Sequence, residues 1–314
     1  MSRAQELIGE PPGRIAPARD LVNTFEFEAM AKRCLSAAAF AEVTGSDRAP
    51  FERITFRPRM MVDTTKLDLS LELFGQRLYA PILVGPTGGQ KKYHPEGDLA
   101  MARGAAAAKT VMVVSAYSSF PIKEIAAQAP ATLWGQASTG PDLDAQRRQI
   151  DQAVEAGCKV LCLNVGGAGW AAIDRLRQGL HVPVVLKGIM SPEEARAAVA
   201  KGIDGIIISS SPVRGMASPM EVLPAIAAAV GGNIPILIDG GFRRGTDIMM
   251  ALALGARAVL LGRPPLWALA AYGAPGVEAM LGLLQNELAR DMAMCGKPNL
   301  KSLDPSAVKI HPRG

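Results

Sequence analysis

From residue 80 onward the chain alternates short, uninterrupted apolar runs with longer Ala-rich segments of helical period, and it does so eight times. The runs are Pro81 to Gly85, Thr110 to Ala116, Thr132 to Ser138, Lys159 to Val165, Pro183 to Gly188, Gly205 to Ser210, Pro235 to Gly241 and Ala258 to Gly262. They are apolar on consecutive positions rather than on every second one, as expected of parallel strands covered on both faces. The segments between them carry helix signals. Ser191 to Gly202 has a cap residue, Pro192 at the first helical position, Glu193 and Glu194 in the first turn and a closing glycine. Regular strand–helix alternation implies right-handed crossovers, and eight such units fit an α/β fold closed as a (β/α)8 TIM barrel. Residues 1–79 then form an N-terminal extension, with a helix over Leu21 to Leu35, irregular chain, and a hairpin near Thr65 to Tyr79. The barrel spans 80–296 and is closed by a helix over Gly276 to Cys295, and the polar tail 297–314 is expected to be mobile.

Composition excludes several classes of function. The chain has 34 Lys and Arg against 29 Asp and Glu, spread along its length, so the net charge of +5 suits an anionic small ligand and not nucleic acid. Cys34, Cys158, Cys162 and Cys295 have neither zinc-site nor disulfide spacing, so no metal is expected. Met1 to Asn23 carries charges and prolines where a signal peptide needs an apolar core, and no run reaches the roughly 20 apolar residues of a membrane span. A cytoplasmic enzyme is the expectation. Trp134, Trp170, Trp267 and the methionines, notably Met249, Met250 and Met292 to Met294, read as core or interface residues.

In this fold the residues that do chemistry lie at the carboxyl ends of the strands. After strand seven comes Asp239-Gly-Gly-Phe-Arg-Arg-Gly-Thr-Asp247, and after strand eight Gly262-Arg263-Pro264. Glycine turns leave N–H groups open to a phosphate, helix amino ends add a favourable dipole, and Arg243 and Arg263 supply charge. Lys187 ends the apolar strand five, where it can face an electron-rich cofactor atom or form an ion pair across the barrel mouth. Gln136 offers an amide to a ring edge, and Ser115 and Ser209 end strands two and six. Together these groups describe a flat phosphorylated heterocycle over the barrel mouth. Flavin mononucleotide fits best, with the lysine stabilising the charge gained on reduction.

The same segments carry a resemblance. Phe56 to Asp63, Pro81 to Gly88, His94 to Gly97, Leu186 to Gly188, Gly205 to Ser209, Asp239 to Asp247, Ala251 to Ala256 and Leu261 to Pro264 follow, in order, the motifs of the FMN-dependent 2-hydroxy acid oxidases and dehydrogenases, such as glycolate oxidase, lactate oxidase and the flavin domain of flavocytochrome b2. The resemblance implies FMN held by the backbone at Pro86, Thr87 and Gly88, with Ser115, Gln136, Asn164, Lys187 and Ser209 on the ring. It implies Asp239 on the ribityl chain, and Gly240, Gly241, Arg243, Gly262 and Arg263 at the phosphate end.

The departures from the family pattern are equally informative. The family's strand-six signature, Ser-Asn-His-Gly-Gly-Arg, reads here Ser209-Ser-Ser-Pro-Val-Arg214, so the position of the histidine base falls on Ser211 while Arg214 keeps that of the carboxylate-binding arginine. A serine hydroxyl cannot take a proton at neutral pH without a base of its own. The family's substrate tyrosines fall on Ser138 and near Glu42. Its long lid after strand four is replaced by Asn164-Val-Gly-Gly-Ala168 and a short path to the next strand. Of the three histidines, His181 lies at the wrong end of the barrel, His311 in the tail, and His94 at a structural position before the first barrel helix. Tyr117 is the expected substitute contact. The reading is an FMN-dependent oxidoreductase acting on CH–OH or CH–NH groups of a carboxylate-bearing substrate larger than lactate: a small molecule, a peptide or a carrier-bound acid. In it, Arg214 anchors the anion, Lys187 stabilises the flavin and Tyr117 lines the pocket. A catalytically impaired FMN-binding partner subunit of another protein, and a non-redox flavin isomerase, remain as alternatives, and homo-oligomerisation is expected of the family.

Overall fold

Eight parallel strands close on themselves, and each apolar run of the sequence supplies one of them. The computed structural model describes residues 14–45, 48–129, 133–166, 169–211 and 217–312. The extension contains α1 (Thr24–Cys34), α2 (Ala37–Val43), α3 (Ala49–Glu52), β1 (Ile54–Phe56) and a hairpin of β2 (Leu71–Leu73) and β3 (Gln76–Leu78). The barrel begins with β4 (Ile82–Val84), α4 (Gly97–Ala107), β5 (Met112–Val114), α5 (Ile122–Gln128), β6 (Leu133–Ser138), α6 (Leu143–Glu155), β7 (Leu161–Asn164) and α7 (Trp170–Arg177). It continues through β8 (Val184–Ile189), α8 (Pro192–Ala200), β9 (Gly205–Ile208), α9 (Pro219–Val230), β10 (Ile236–Asp239), α10 (Gly245–Ala253), β11 (Ala258–Leu261) and α11 (Arg263–Met294), and β12 (Val308–Ile310) ends the chain. The barrel order is β4 through β11 with β11 paired to β4, so sheet edges are abolished.

Alternate residues of the strands feed two apolar layers. Leu83, Val113, Trp134, Cys162, Val185, Ile207, Leu237 and Leu260 fill the lumen, while Val84, Leu163, Leu186, Ile208 and Ile238 meet the helices outside. The hairpin plugs the amino end of the lumen. Phe74 at its turn stacks edge-on against Trp134 with centroids 5.5 Å apart and comes so close to Gly205 that a Cβ there would lie 2.7 Å from its ring. With that end sealed, ligand access is left to the carboxyl ends of the strands.

The chain differs from the sequence reading in three places. The closing helix over Gly276 to Cys295 is preceded by a further helical stretch from Arg263, joined to it within α11, because Pro264 and Pro265 occupy a first turn, where proline starts helices rather than ending them. Gly273, at φ 62 and ψ −148, kinks it, and the His94 ring fills the kink, 3.1 Å from where a Cβ would stand. This helix is 32 residues long and apolar enough by composition to cross a membrane, yet it packs against α1, α4 and α10 as a core helix. The tail is ordered too: β12 pairs antiparallel with β1, a contact across some 250 residues that leaves no local signal. Finally, Met294 is exposed rather than core, whereas Met249, Met250, Met292, Trp134 and Trp267 are buried.

Candidate active site

A cavity of about 490 Å³ opens at the carboxyl ends of the strands. Pro86, Thr87 and Gly88 line it after β4, Lys187 on β8, Ser210 and Ser211 after β9, Asp239 to Arg243 after β10, and Gly262 to Pro264 after β11. Glu42 and Val43 from α2, and Tyr93 from the loop after β4, complete its wall.

Lys187 is only 4% exposed. Its Nζ donates to Ser209 Oγ at 2.7 Å and pairs with Asp239 Oδ2 at 3.1 Å, while Ser209 Oγ donates to the same Asp239 oxygen at 2.8 Å. One ammonium is thus oriented by neighbours on the two following strands. The register slips between Lys187 and Ile189, where Gly188 takes φ 108, and such an irregularity re-aims the side chain beside it. Of the two options for Lys187 the ion pair is present, to Asp239, and the side chain also lines the cavity.

A second buried cation lines the cavity. Arg243 is 4% exposed, with Nη1 donating to the Phe242 carbonyl at 2.8 Å and the guanidinium 4.5 Å from the Trp267 ring centroid. Burial pushes its pKa down to about 9, and the nearby Arg263 and Arg48 act in the same direction against Glu28 and Asp247. No described carboxylate hydrogen-bonds this buried cation, an unfavourable state that a bound anion relieves. The amino end of α10 is less open than the glycines suggest. Asp247 Oδ2 accepts from the N–H groups of Arg243 and Arg244, and Glu287 accepts from that of Gly245. Anion contacts must then come from Arg243, from the Gly240–Gly241 turn at φ 100 and 82, and from the start of α11, where Gly262 supplies no side-chain cap. A buried cation beside a glycine turn and an uncapped helix end fits a phosphate monoester.

Ser115, Gln136, Asn164 and Ser209 lie on or just beyond β5, β6, β7 and β9 but are not among the residues that line the cavity. Ser115 is buried and its Oγ accepts from the Tyr117 N–H at 3.1 Å; Gln136 Oε1 accepts from the Ala116 N–H at 3.4 Å. Asn164 ends β7 beside Lys187, its carbonyl accepting from Thr139 Oγ1 at 2.9 Å. Tyr117 stands 71% exposed on the rim and is not among the cavity's lining residues, although its backbone carbonyl accepts from the Gly89 N–H at 2.9 Å. Gly88 has no room for a side chain, since a Cβ would lie 2.9 Å from that of Tyr117. Arg263 is bonded to the Gly45 carbonyl, and Arg214 lies outside the described residues. Neither His181 nor His311 reaches the cavity; His311 Nε2 sits 2.9 Å from Thr55 Oγ1.

Sequence reading missed Arg48. Its Nη1 donates to the Gly241 carbonyl at 2.6 Å, both terminal nitrogens engage Asp247 at 2.7 and 3.0 Å, and the guanidinium lies 5.5 and 5.3 Å from the rings of Phe25 and Phe51. A separation of 193 residues from Gly241 hides this clamp from any motif. Arg48→Ala is expected to lower stability by about 2 kcal/mol and FMN affinity about tenfold, because it leaves Asp247 short of its partner and the turn unclamped. Arg48→Lys restores the charge but not the fork and recovers little of either. Thermal unfolding and flavin titration check this.

The FMN-dependent dehydrogenase family model matches residues 26–168 and 166–310. Its two stretches meet in the turn after β7, where only residues 165–169 separate that strand from α7. A peroxisomal (S)-2-hydroxyacid oxidase of Arabidopsis thaliana is 33% identical over 350 residues, covering 92% of this chain and 96% of its own. An L-lactate oxidase of a Nostoc species is 36% identical, with 92% and 98% coverage. Those alignments exceed the 314 residues of this chain, so the relatives carry residues without counterpart here. A mandelate oxidase structure with (S)-2-phenylpropionate superposes with a TM-score of 0.87 at 31% identity, over 93% of this chain and 100% of that one.

Proposed function

We propose, from the premise that this chain belongs to the FMN-dependent dehydrogenase family, that it oxidises the CH–OH carbon of a 2-hydroxy acid larger than lactate, with Ser211 in the place of the family's histidine base. FMN is the cofactor, and its phosphate suits the pole built by Arg243, the Gly240–Gly241 turn and the start of α11. When bound, FMN supplies the two-electron acceptor for the C–H bond that breaks as the carbinol becomes a carbonyl.

This chain's own residues perform the rest. Lys187, held by Asp239 and Ser209, keeps a positive charge at the mouth, where electron density rises during oxidation. Ser211 faces the cavity with its N–H donating to Ser209 Oγ at 3.3 Å, and its hydroxyl can donate a hydrogen bond but cannot remove the substrate's hydroxyl proton unaided. That proton therefore leaves to water or to a group the substrate brings. Arg214 anchors the carboxylate and Tyr117 covers the rim in this reading.

The observation that carries the size preference is the turn after β7. With the family match divided there and only residues 165–169 between strand and helix, the connection after β7 is too short to serve as a lid over the mouth. Anaerobic mixing of the yellow protein with a graded series from glycolate through lactate to aryl- and peptide-bearing hydroxy acids tests it. Bleaching of the flavin is expected to quicken with size. Equal or faster bleaching by lactate contradicts the size preference, and a flavin that none of them reduces contradicts the reaction itself.

A further inference from the structure

Part of the cavity wall offers hydrogen-bond acceptors. Glu42 lines it from α2, and its carboxylate accepts from Lys92 Nζ at 3.2 and 3.4 Å and from Tyr93 Oη at 3.1 Å. These donors hold the Glu42 carboxyl below the usual range, so it is a full anion. Burial, helped by Glu42, pushes the Tyr93 phenol up to about 12, so it keeps its proton and spends it on Glu42. What Tyr93 then turns to a ligand is an oxygen lone pair, and Glu42 keeps carboxylate capacity beyond its two protein partners. Asp239, the other carboxylate among the described lining residues, is already committed to Lys187 and Ser209. Lys92 is no fixed counterion, because its side chain is 61% exposed and free to swing into solvent.

An acceptor wall inside an otherwise cationic cavity discriminates between substrates. An additional carboxylate or a phosphate placed there meets an anion and a lone pair, while an aliphatic end gains no hydrogen bond from either. A protonated amine supplies donors to both and displaces Lys92 at little cost.

We infer that Glu42 and Tyr93 form a specificity subsite for a protonated amine on the substrate, so that this enzyme's preferred acid carries a cationic nitrogen away from its carboxylate. The inference rests on the hydroxy acid reading above and names the class of acid within it.

The test uses the FMN-loaded protein and two acids of equal length, 2-hydroxyheptanoate and 6-amino-2-hydroxyhexanoate. Dissociation constants come from the concentration dependence of the flavin absorbance change under anaerobic conditions. The aminated acid is expected to bind about fivefold more tightly, the scale of a partly exposed, charge-assisted contact. Glu42→Gln, isosteric and on an exposed side chain, brings the two acids to parity without changing FMN affinity. Tyr93→Phe reduces the preference without abolishing it, because the carboxylate remains. Equal binding by the unmodified protein overturns the inference, as does a preference that survives Glu42→Gln or is undiminished in Tyr93→Phe. If neither acid perturbs the flavin, the hydroxy acid reading falls and takes the subsite with it, an outcome distinct from parity.

Discussion

Arg243→Met is expected to weaken FMN binding about a hundredfold while leaving riboflavin binding within about twofold, as loss of one or two charge-assisted hydrogen bonds to phosphate requires. Riboflavin has the same ring and ribityl chain without the phosphate, so the comparison isolates the anion contact. A second effect of opposite sign accompanies it. The folded protein without cofactor holds this guanidinium 4% exposed, with no described carboxylate hydrogen-bonded to it and with its pKa lowered to about 9. A folded pKa below the unfolded one means that the folded chain binds its proton less tightly. The penalty is thus fully present at neutral pH and is relieved only as pH rises above about 9. Removing the charge removes the penalty, and the cofactor-free variant should melt higher than the cofactor-free parent. Thermal scans with and without FMN, together with titrations of both flavins, read the two effects independently. Equal losses for FMN and riboflavin would place Arg243 outside the phosphate contact.

Ser211→His should raise the rate of anaerobic flavin reduction by a small hydroxy acid such as lactate about a hundredfold, the lower end of what a positioned general base contributes. The lower end applies because Ser211 is exposed and the substitution alone supplies no partner that fixes the ring's tautomer and tilt. Ser211 lines the cavity and is solvent-accessible, so the larger ring has room. The gain should appear only above the imidazole's pKa, with the rate falling as pH drops below about 6.5. Stopped-flow reduction across pH measures it. An unchanged rate would mean that proton removal is handled elsewhere or does not limit turnover.

The barrel could be read from the chain because its cause is local. Each strand is a short run of consecutive apolar residues and each helix carries its own caps: at α8, Ser191 Oγ accepts from the Glu194 N–H and Pro192 stands in the first turn, as the sequence pattern requires. The cavity residues proposed for the phosphate were legible for the same reason, since Gly240, Gly241, Arg243, Gly262 and Arg263 fall in two compact motifs and line the cavity together. What escaped depends on contacts between distant segments. Arg48 meets Gly241 and Asp247, β1 meets β12, and Glu42 meets Lys92 and Tyr93, each pair joined only by folding. The occupation of the α10 amino end by Asp247 and Glu287 was hidden too, because a glycine-rich turn looks open until its neighbours are placed.

The claim on which all of this turns is that the barrel mouth seats FMN by its phosphate. Titrating the cofactor-free protein with FMN and with riboflavin, followed by flavin fluorescence and melting temperature, tests it most directly. One FMN should bind per chain and raise the melting temperature as ligand linkage demands, with riboflavin at least about a hundredfold weaker. No uptake of FMN, or riboflavin binding as tightly as FMN, would contradict the account.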